Sequence, residues 1–306
     1  MILLCGITSE TPLALVKERL DQRQAPYVFF SQRQFQQMEL FFDVTDGEVT
    51  GELTIAGRRY PLEYFTGVYT RLMDDQNLPE LRREPLDSPL RRRARALHDA
   101  LMRWYEIAPI RVVNRTAPMG SNFSKPYQSQ PIVAQGFRTP ETLITNDPDL
   151  VREFHATHKK VIYKSMSGVR SIVQTMNDED FARLDRIRSC PVQFQAFVEG
   201  RNVRVHTIDA QVFATAITTD ATDYRYAHKQ GSDYAELEAI ELPDDLSERC
   251  LRLSSALDLP FAGIDLKITP DEEVYCFEVN PSPAFSYYEN STGQPISEAL
   301  ARYLAG

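Results

Sequence analysis

Cysteine is scarce. The 306 residues contain four, Cys5, Cys190, Cys250 and Cys276, too far apart for a C-x-x-C pair, so neither a disulfide framework nor a zinc site is suggested and a reduced, cytoplasmic setting is expected. Long apolar runs are missing too: no stretch approaches the roughly 18 continuous apolar residues that cross a bilayer. The opening MILLCGI is apolar over too few residues and lacks a basic flank, so it reads as a first strand and not as a signal peptide. Positive charge is in deficit, with 34 Lys and Arg against 43 Asp and Glu, a net −9, which argues against a nucleic-acid backbone as partner. G-x-S-x-G, Walker A and G-x-G-x-x-G stretches are all absent, leaving hydrolase, P-loop and Rossmann dehydrogenase chemistry without a motif. What remains as partner is a small molecule or a protein, with no nucleic acid or membrane partner and with homo-oligomerisation open.

What is present is an ordinary globular composition, 42% hydrophobic and 25% charged, long enough for two or three units around sizeable cores. Residues 1–7, a Ser9/Thr11/Pro12 start before LALVKERL, and YVFF at 27–30 read as strand, helix, strand, the opening of an α/β unit. Short alternating runs over 40–70 (FFDVT, GELTIAG, GVYTRL), broken by Asp46-Gly47 and Gly57, read as hairpins or an edge extension. Ser88-Pro89 begins a helix whose apolar positions Leu90, Ala94, Leu97, Leu101, Trp104 and Ala108 keep the helical period. Pro118, Gly120, Pro126 and Pro131 place a boundary near residue 115. A smaller α+β unit follows over 116–190: TLITN, KVIYKS and SIVQTM as strands, helices after Asp147-Pro148 and over EDFARLDRI. From 191 to 306 come the extended runs VQFQAFV, VRVHTI and VFATAITT, a helix with Leu246, Cys250, Leu253 and Leu257 on one face, and a final hairpin.

That hairpin, FAGIDLKIT (261–269) and VYCFEVN (274–280), carries the chemistry. Alternation puts Ile264, Leu266 and Ile268 on one face with Tyr275, Phe277 and Val279 as the matching apolar set, and Asp265, Lys267, Glu278 and Asn280 on the other. A two-residue loop at Asp271-Glu272 sets Asp265 opposite Glu278, about 5 Å apart at Cβ. Two carboxylates that close repel. A hard cation such as Mg²⁺ offsets this with one or two carboxylates, an amide oxygen and phosphate or water, whereas a solvated polar face is the plain alternative. Pro281 and Pro283 stiffen the backbone just beyond.

G-I-D-L-K followed by F-E-V-N-P closely resembles the metal-binding end of the ATP-grasp superfamily, in particular RimK-like carboxylate–amine ligases, over most of 110–300. The resemblance implies an ATP-grasp fold: an N-terminal α/β subdomain (1–115), a central lid (116–190) and a C-terminal body (191–306), with ATP between the last two. It implies ATP with Mg²⁺, or Mn²⁺ in its place, on Asp265, Glu278 and Asn280. It further implies Lys164 on the α- and β-phosphates beside a loop containing Ser167 and Gly168, and Lys125 as an earlier nucleotide-binding lysine. Backbone around Gln195, Ala196, Phe197 and Val198 would meet the adenine, Glu199 the ribose, and Arg204 and Arg225 a carboxylate and developing acyl phosphate. Ala196 stands where the family commonly has a glutamate, and Asn202 in place of the aspartate of its D-I-R pattern.

The implied reaction transfers the γ-phosphoryl of ATP to a substrate carboxylate and joins the acyl group to an amine. VYTRL and the layout look somewhat like ligases that install ester or amide cross-links in ribosomal peptides, in which case Arg71 contacts a peptide or is a surface arginine. A kinase of this fold and a non-catalytic nucleotide-binding protein remain as other readings. The basic run Arg91, Arg92, Arg93 and Arg95 with Arg82 and Arg83 reads as a solvated face, or as a dock for an acidic peptide. His155 and His158 read as exposed, and His206 as a satisfied structural histidine.

Overall fold

Ile2–Gly6 is buried along its whole length, the pattern of a strand covered on both faces. In the computed structural model, which describes residues 1–165, 174–219 and 235–306, it lies inside a parallel sheet of order Tyr27–Ser31, Ile2–Gly6, Gly67–Thr70, Arg111–Val113. Helix Thr11–Gln22 makes the first crossover and buries Leu13, Val16 and Leu20. Gly67–Thr70, expected among the hairpins, is instead a fully buried parallel strand. Its four apolar or small residues suit a central position better than an alternating edge. The expected hairpins form a separate three-stranded sheet, Met38–Thr45, Glu48–Ile55 and Arg58–Pro61. Its two-residue turns, Asp46-Gly47 and Ala56-Gly57, have positive φ throughout, as right-twisted hairpins prefer. Helix Pro89–Ile107 packs Leu97, Leu101 and Trp104 beneath these strands.

The central unit is an antiparallel sheet of order Gln174–Thr175, Val161–Ser165, Val192–Ala196, Thr142–Thr145. Val161 and Phe194 pack from it against Val151 of helix Pro148–His158 and against Leu184. Val192–Ala196 is hydrogen-bonded into this sheet although it follows position 190. EDFARLDRI forms a helix only over Asp178–Ala182, then a 3₁₀ segment over Leu184–Ser189. Of SIVQTM, residues 171–173 lie outside the described residues.

The C-terminal sheet is antiparallel, of order Glu236–Ile240, Gln211–Thr218, Arg201–Ile208, Phe261–Ile268, Val274–Asn280. One face packs Val203, Val205, Ile264, Leu266, Cys276 and Val279 on Leu246, Cys250 and Leu253 of helix Asp244–Ala256. A further cluster joins Leu4, Leu13 and Tyr69 of the first unit to Phe261, Phe285, Ile296 and Leu300 of the last, so the two chain ends share a core. No helix among the described residues is long and apolar enough to cross a membrane.

Candidate active site

The final hairpin sets Asp265 opposite Glu278 and Gly263 opposite Asn280. Nearer its turn Lys267 faces Tyr275 and Leu266 faces Cys276, and the register shifts between Asp265 and Leu266. The connection is therefore longer than the expected two-residue loop, and a bulge at Phe277 restores the carboxylate pairing. The apolar set changes with it. Cys276 and Val279 are the fully buried residues of this strand, where Tyr275, Phe277 and Val279 had been expected. A bulge puts two residues opposite one and reverses the alternation, and Phe277 lies on the polar face, its ring 5.9 Å from Lys267 Nζ.

Arg204 stands directly across from Asp265 on the neighbouring strand, so one rung of the sheet carries Arg204, Asp265 and Glu278. Arg204 Nη1 donates to Asp265 Oδ1 at 2.5 Å, and Lys125, first residue of helix Lys125–Ala134, places Nζ 2.8 Å from Glu278 Oε2. The result is a line of two adjacent carboxylates with a cation at each end, with side chains 6 to 26% exposed. Gly263 makes room for it, because a Cβ there would overlap the Arg204 guanidinium and Pro283. Asn280 Oδ1 accepts from Ser282 N at 2.9 Å. Among the described residues no three His, Cys, Asp or Glu side chains gather as a metal cluster. The donor set is thus two carboxylates and one amide, all hard oxygens, which fits Mg²⁺ that keeps water and phosphate in its remaining positions.

The residues after Asn280 are gripped from the first unit. Arg71 is not a free surface arginine. Its guanidinium is buried, pairs with Glu10 Oε1 at 2.6 Å, and donates through Nη1 to Ser282 Oγ at 3.1 Å and Pro283 O at 3.2 Å. Asn114 Nδ2 donates to Phe261 O and Pro281 O, both at 2.6 Å. Neither Asn114 nor Gln128, whose side chain bonds the Val279 backbone, stood out in the sequence. Isolated amides carry no pattern.

On the central sheet, Lys164 pairs in register with Gln193, and Ile162 with Gln195. These four share the face turned from Val161 and Phe194. The expected adenine segment is partly engaged by the chain: Gln195 Nε2 donates to Thr142 Oγ1 at 3.0 Å, Ala196 N to Glu141 O at 2.9 Å and Phe197 N to Lys160 O at 3.0 Å. Val198 O accepts from Lys267 Nζ at 3.0 Å. Phe197 also lies under Lys160 Nζ, 3.5 Å from its ring centroid. Burial, and then the neighbouring Lys160, hold the Lys267 ammonium below its usual range. Lys160 and Lys267 therefore join Lys164 beside this segment, while Glu199 is exposed. Ser167, Gly168 and Arg225 lie outside the described residues.

Of the basic run, Arg82, Arg83, Arg92, Arg93 and Arg95 are exposed, as a solvated face would be, and Arg91 is half-buried. Arg91 donates to Leu81 O and Glu84 O, Arg93 to Met38 O, and Arg95 pairs with Asp75 at 2.9 Å. His155 and His158 pack on Phe181 and Phe154. His206 is fully buried, and neither ring nitrogen has a hydrogen-bond partner among the described residues, which corrects the expectation of a satisfied histidine. Burial, then the Arg204 charge, push its pKa well below the ordinary imidazole value. A cavity of about 540 Å³ lies elsewhere, bordered by Arg111, Arg115, Asp258 and Tyr303. Arg115 there is spent on the carbonyls of Tyr105, Glu106, Ala108 and Ile110.

The RimK-like ATP-grasp domain profile matches residues 127–304. D-alanine–D-alanine ligase of Aquifex aeolicus (strain VF5) is 28% identical over 176 residues, 54% of this chain; the chain spans 60% of that relative's length. ATP-grasp ligase PsnB, complexed with a phosphomimetic variant of its minimal precursor, Mg and ADP, superposes with a TM-score of 0.78 at 26% identity, covering 99% of this chain and 97% of PsnB. A RiPP-associated ATP-grasp ligase of Chryseobacterium gregarium, in complex with ADP and a leader and core peptide, gives 0.81 at 23% identity, covering 99% and 96%, and so shares the fold.

Proposed function

The chain belongs to the RimK-like ATP-grasp family, and from that premise we propose that it is an ATP-dependent ligase that activates a substrate carboxylate as an acyl phosphate and joins it to an amine. The observation that carries this reading is the half-buried rung Arg204, Asp265, Glu278 with Lys125 at its end. Asp265, Glu278 and Asn280 would hold Mg²⁺, with Mn²⁺ as a substitute, and the bound metal neutralises phosphate charge. Lys125 and Lys164 hold the phosphates, together with Ser167 and Gly168. The backbone of Gln195, Ala196, Phe197 and Val198 holds the adenine and Glu199 the ribose. Arg204 and Arg225 orient the carboxylate and the acyl phosphate. The units 1–115, 116–190 and 191–306 belong to this reading, with the nucleotide between the last two. Four free cysteines support a reduced, cytoplasmic setting.

A carboxylate oxygen attacks the γ-phosphorus, the bond from that phosphorus to the β,γ-bridging oxygen breaks, and ADP leaves. The amine then attacks the acyl carbon, the carbon–oxygen bond to phosphate breaks, and phosphate departs as the amine gives up a proton. No protein nucleophile takes part. The side chains contribute positioning and charge neutralisation, which suffice for phosphoryl transfer of this kind.

A second reading concerns the substrate. Likeness to PsnB extends over 99% of the chain, including residues 1–115, which the family profile does not reach. This favours a peptide with side-chain carboxylates, joined as an ester or amide within the same peptide, over a free amino acid. The test is ATP turnover with hydroxylamine and a panel of amino acids and acidic peptides. A hydroxamate, with phosphate release dependent on the carboxylate, is expected, and Asp265→Asn and Glu278→Ala should each lower turnover by about 10²-fold or more, the scale of losing one preorganised electrostatic contact. Turnover without hydroxamate, yielding a phosphoester, would instead identify a kinase. Wild-type rates in both variants would remove the assigned site.

A further inference from the structure

Val274–Asn280, the strand that carries Glu278 and Asn280, is the last of its sheet. An edge strand has one strand neighbour to hold its twist; near the hairpin turn its outer edge is met by the Arg138 backbone, which bonds Val274 O and Cys276 N, but that bridge stops short of the ligands at Glu278 and Asn280. At Val279, between the two ligands, the free edge is closed by one side chain. Gln128 Nε2 donates to Val279 O at 2.7 Å, and Val279 N donates to Gln128 Oε1 at 3.1 Å. A primary amide thus stands where the peptide group of a further strand would be, exchanging two bonds with one residue as a hydrogen-bonded antiparallel pair does. The orientation of the amide is forced, because Val279 N–H can only donate and its carbonyl can only accept. Gln128 is 1% exposed, so water does not compete for these bonds.

The element that delivers Gln128 is helix Lys125–Ala134, whose first residue pairs with Glu278. Positions three apart share a helix face. One face of this helix therefore meets the Glu278 carboxylate through Lys125 and the next peptide unit through Gln128. We propose that Gln128 is a positioning residue for the metal ligands: by fixing the backbone at Val279 it sets the directions in which Glu278 and Asn280 leave the strand. The two ligands flank Val279 and project on the opposite face, so a rotation of that backbone moves both. Asn114 on Pro281 and Arg71 on Ser282 continue the brace on the far side of Asn280. The inference rests on the reading of this hairpin as the metal site.

Its test is Mn²⁺ binding to the full-length protein in the presence of ADP, followed by the electron paramagnetic resonance signal of free Mn²⁺, with thermal unfolding as a check of folding. Gln128→Met keeps the size and removes both bonds, and should weaken Mn²⁺ binding by about 10–100-fold, the usual effect of removing a group that orients a metal ligand. ADP binding without metal should be unchanged. Gln128→Glu keeps the shape and the acceptor for Val279 N–H and should fall between wild type and Gln128→Met; it carries the test if the methionine variant does not fold. A purely structural role would lower the unfolding temperature and leave the Mn²⁺ affinity of the folded protein as it was, so a folded variant with wild-type affinity overturns the proposal. Glu278→Ala separates the two readings. If it binds Mn²⁺ like wild type, or wild type binds none, the metal site itself is wrong; if it loses Mn²⁺ while Gln128→Met keeps it, only the positioning role is wrong.

Discussion

Between Arg204 and Lys125 two carboxylates lie side by side, and neither would tolerate the other in a half-buried rung without those cations. Their neighbour His206 bears on the same balance. It is two residues from Arg204, with Tyr288 4.9 Å from its ring, and a second positive charge there would face the guanidinium. Burial and Arg204 keep it neutral in the folded chain, whereas an unfolded imidazole takes up a proton below its ordinary value of 6.5. The depressed value in the folded state means that the unfolded state binds the extra proton, so stability is complete above about pH 6.5 and declines as pH falls below it, by up to about 1.4 kcal/mol per pH unit. His206→Phe should remove that part of the acid slope. Urea denaturation of both proteins between about pH 5 and 8 would read it, and identical slopes would show that His206 is not protonated on unfolding.

At the scale of elements, helix Pro89–Ile107 and the final hairpin behave differently. The helix has a start signal of its own: Ser88 Oγ accepts from Arg91 N at 3.2 Å, with proline following in the first turn, and the apolar period does the rest. Ser88→Ala should cost about 1 kcal/mol, seen as a lower urea midpoint with unchanged m-value; an unaltered midpoint would mean that the cap contributes nothing. The hairpin illustrates a limit of alternation as a guide. Asp265 does face Glu278, but through a longer turn and a bulge, because burying Cys276 and Val279 together requires one residue between them to drop out of phase.

For the molecule as a whole, the shared core of the two chain ends decides cooperativity. Leu300 of the last helix, Ile296–Ala305, is buried in a cluster with Leu4, Leu13 and Tyr69 of the first unit, while the sole tryptophan, Trp104, sits in a separate core of that unit. Leu300→Ala should destabilise by about 2–5 kcal/mol, and the Trp104 fluorescence transition should move with the far-ultraviolet dichroism transition. Fluorescence that keeps its wild-type midpoint would mean that the N-terminal unit unfolds alone.

What could be read from the residues alone was local or strictly periodic. The helix over 89–107, the strands around 2–6 and 203–208, the Asp46-Gly47 turn and the opposition of Asp265 and Glu278 follow from periods of 3.6 and 2 acting over a few residues, and the G-I-D-L-K and F-E-V-N-P stretches carry a family resemblance. The partners of single polar side chains were decided only by the tertiary structure. Arg204 reaches Asp265 across 61 residues, Gln128 reaches Val279 across 151 and Arg71 reaches Ser282 across 211. A lone amide or guanidinium has no period, so its partner is chosen when the units pack and buried donors must find acceptors. For the same reason the hold of Arg71 on Ser282 and Pro283 is visible only in the folded chain.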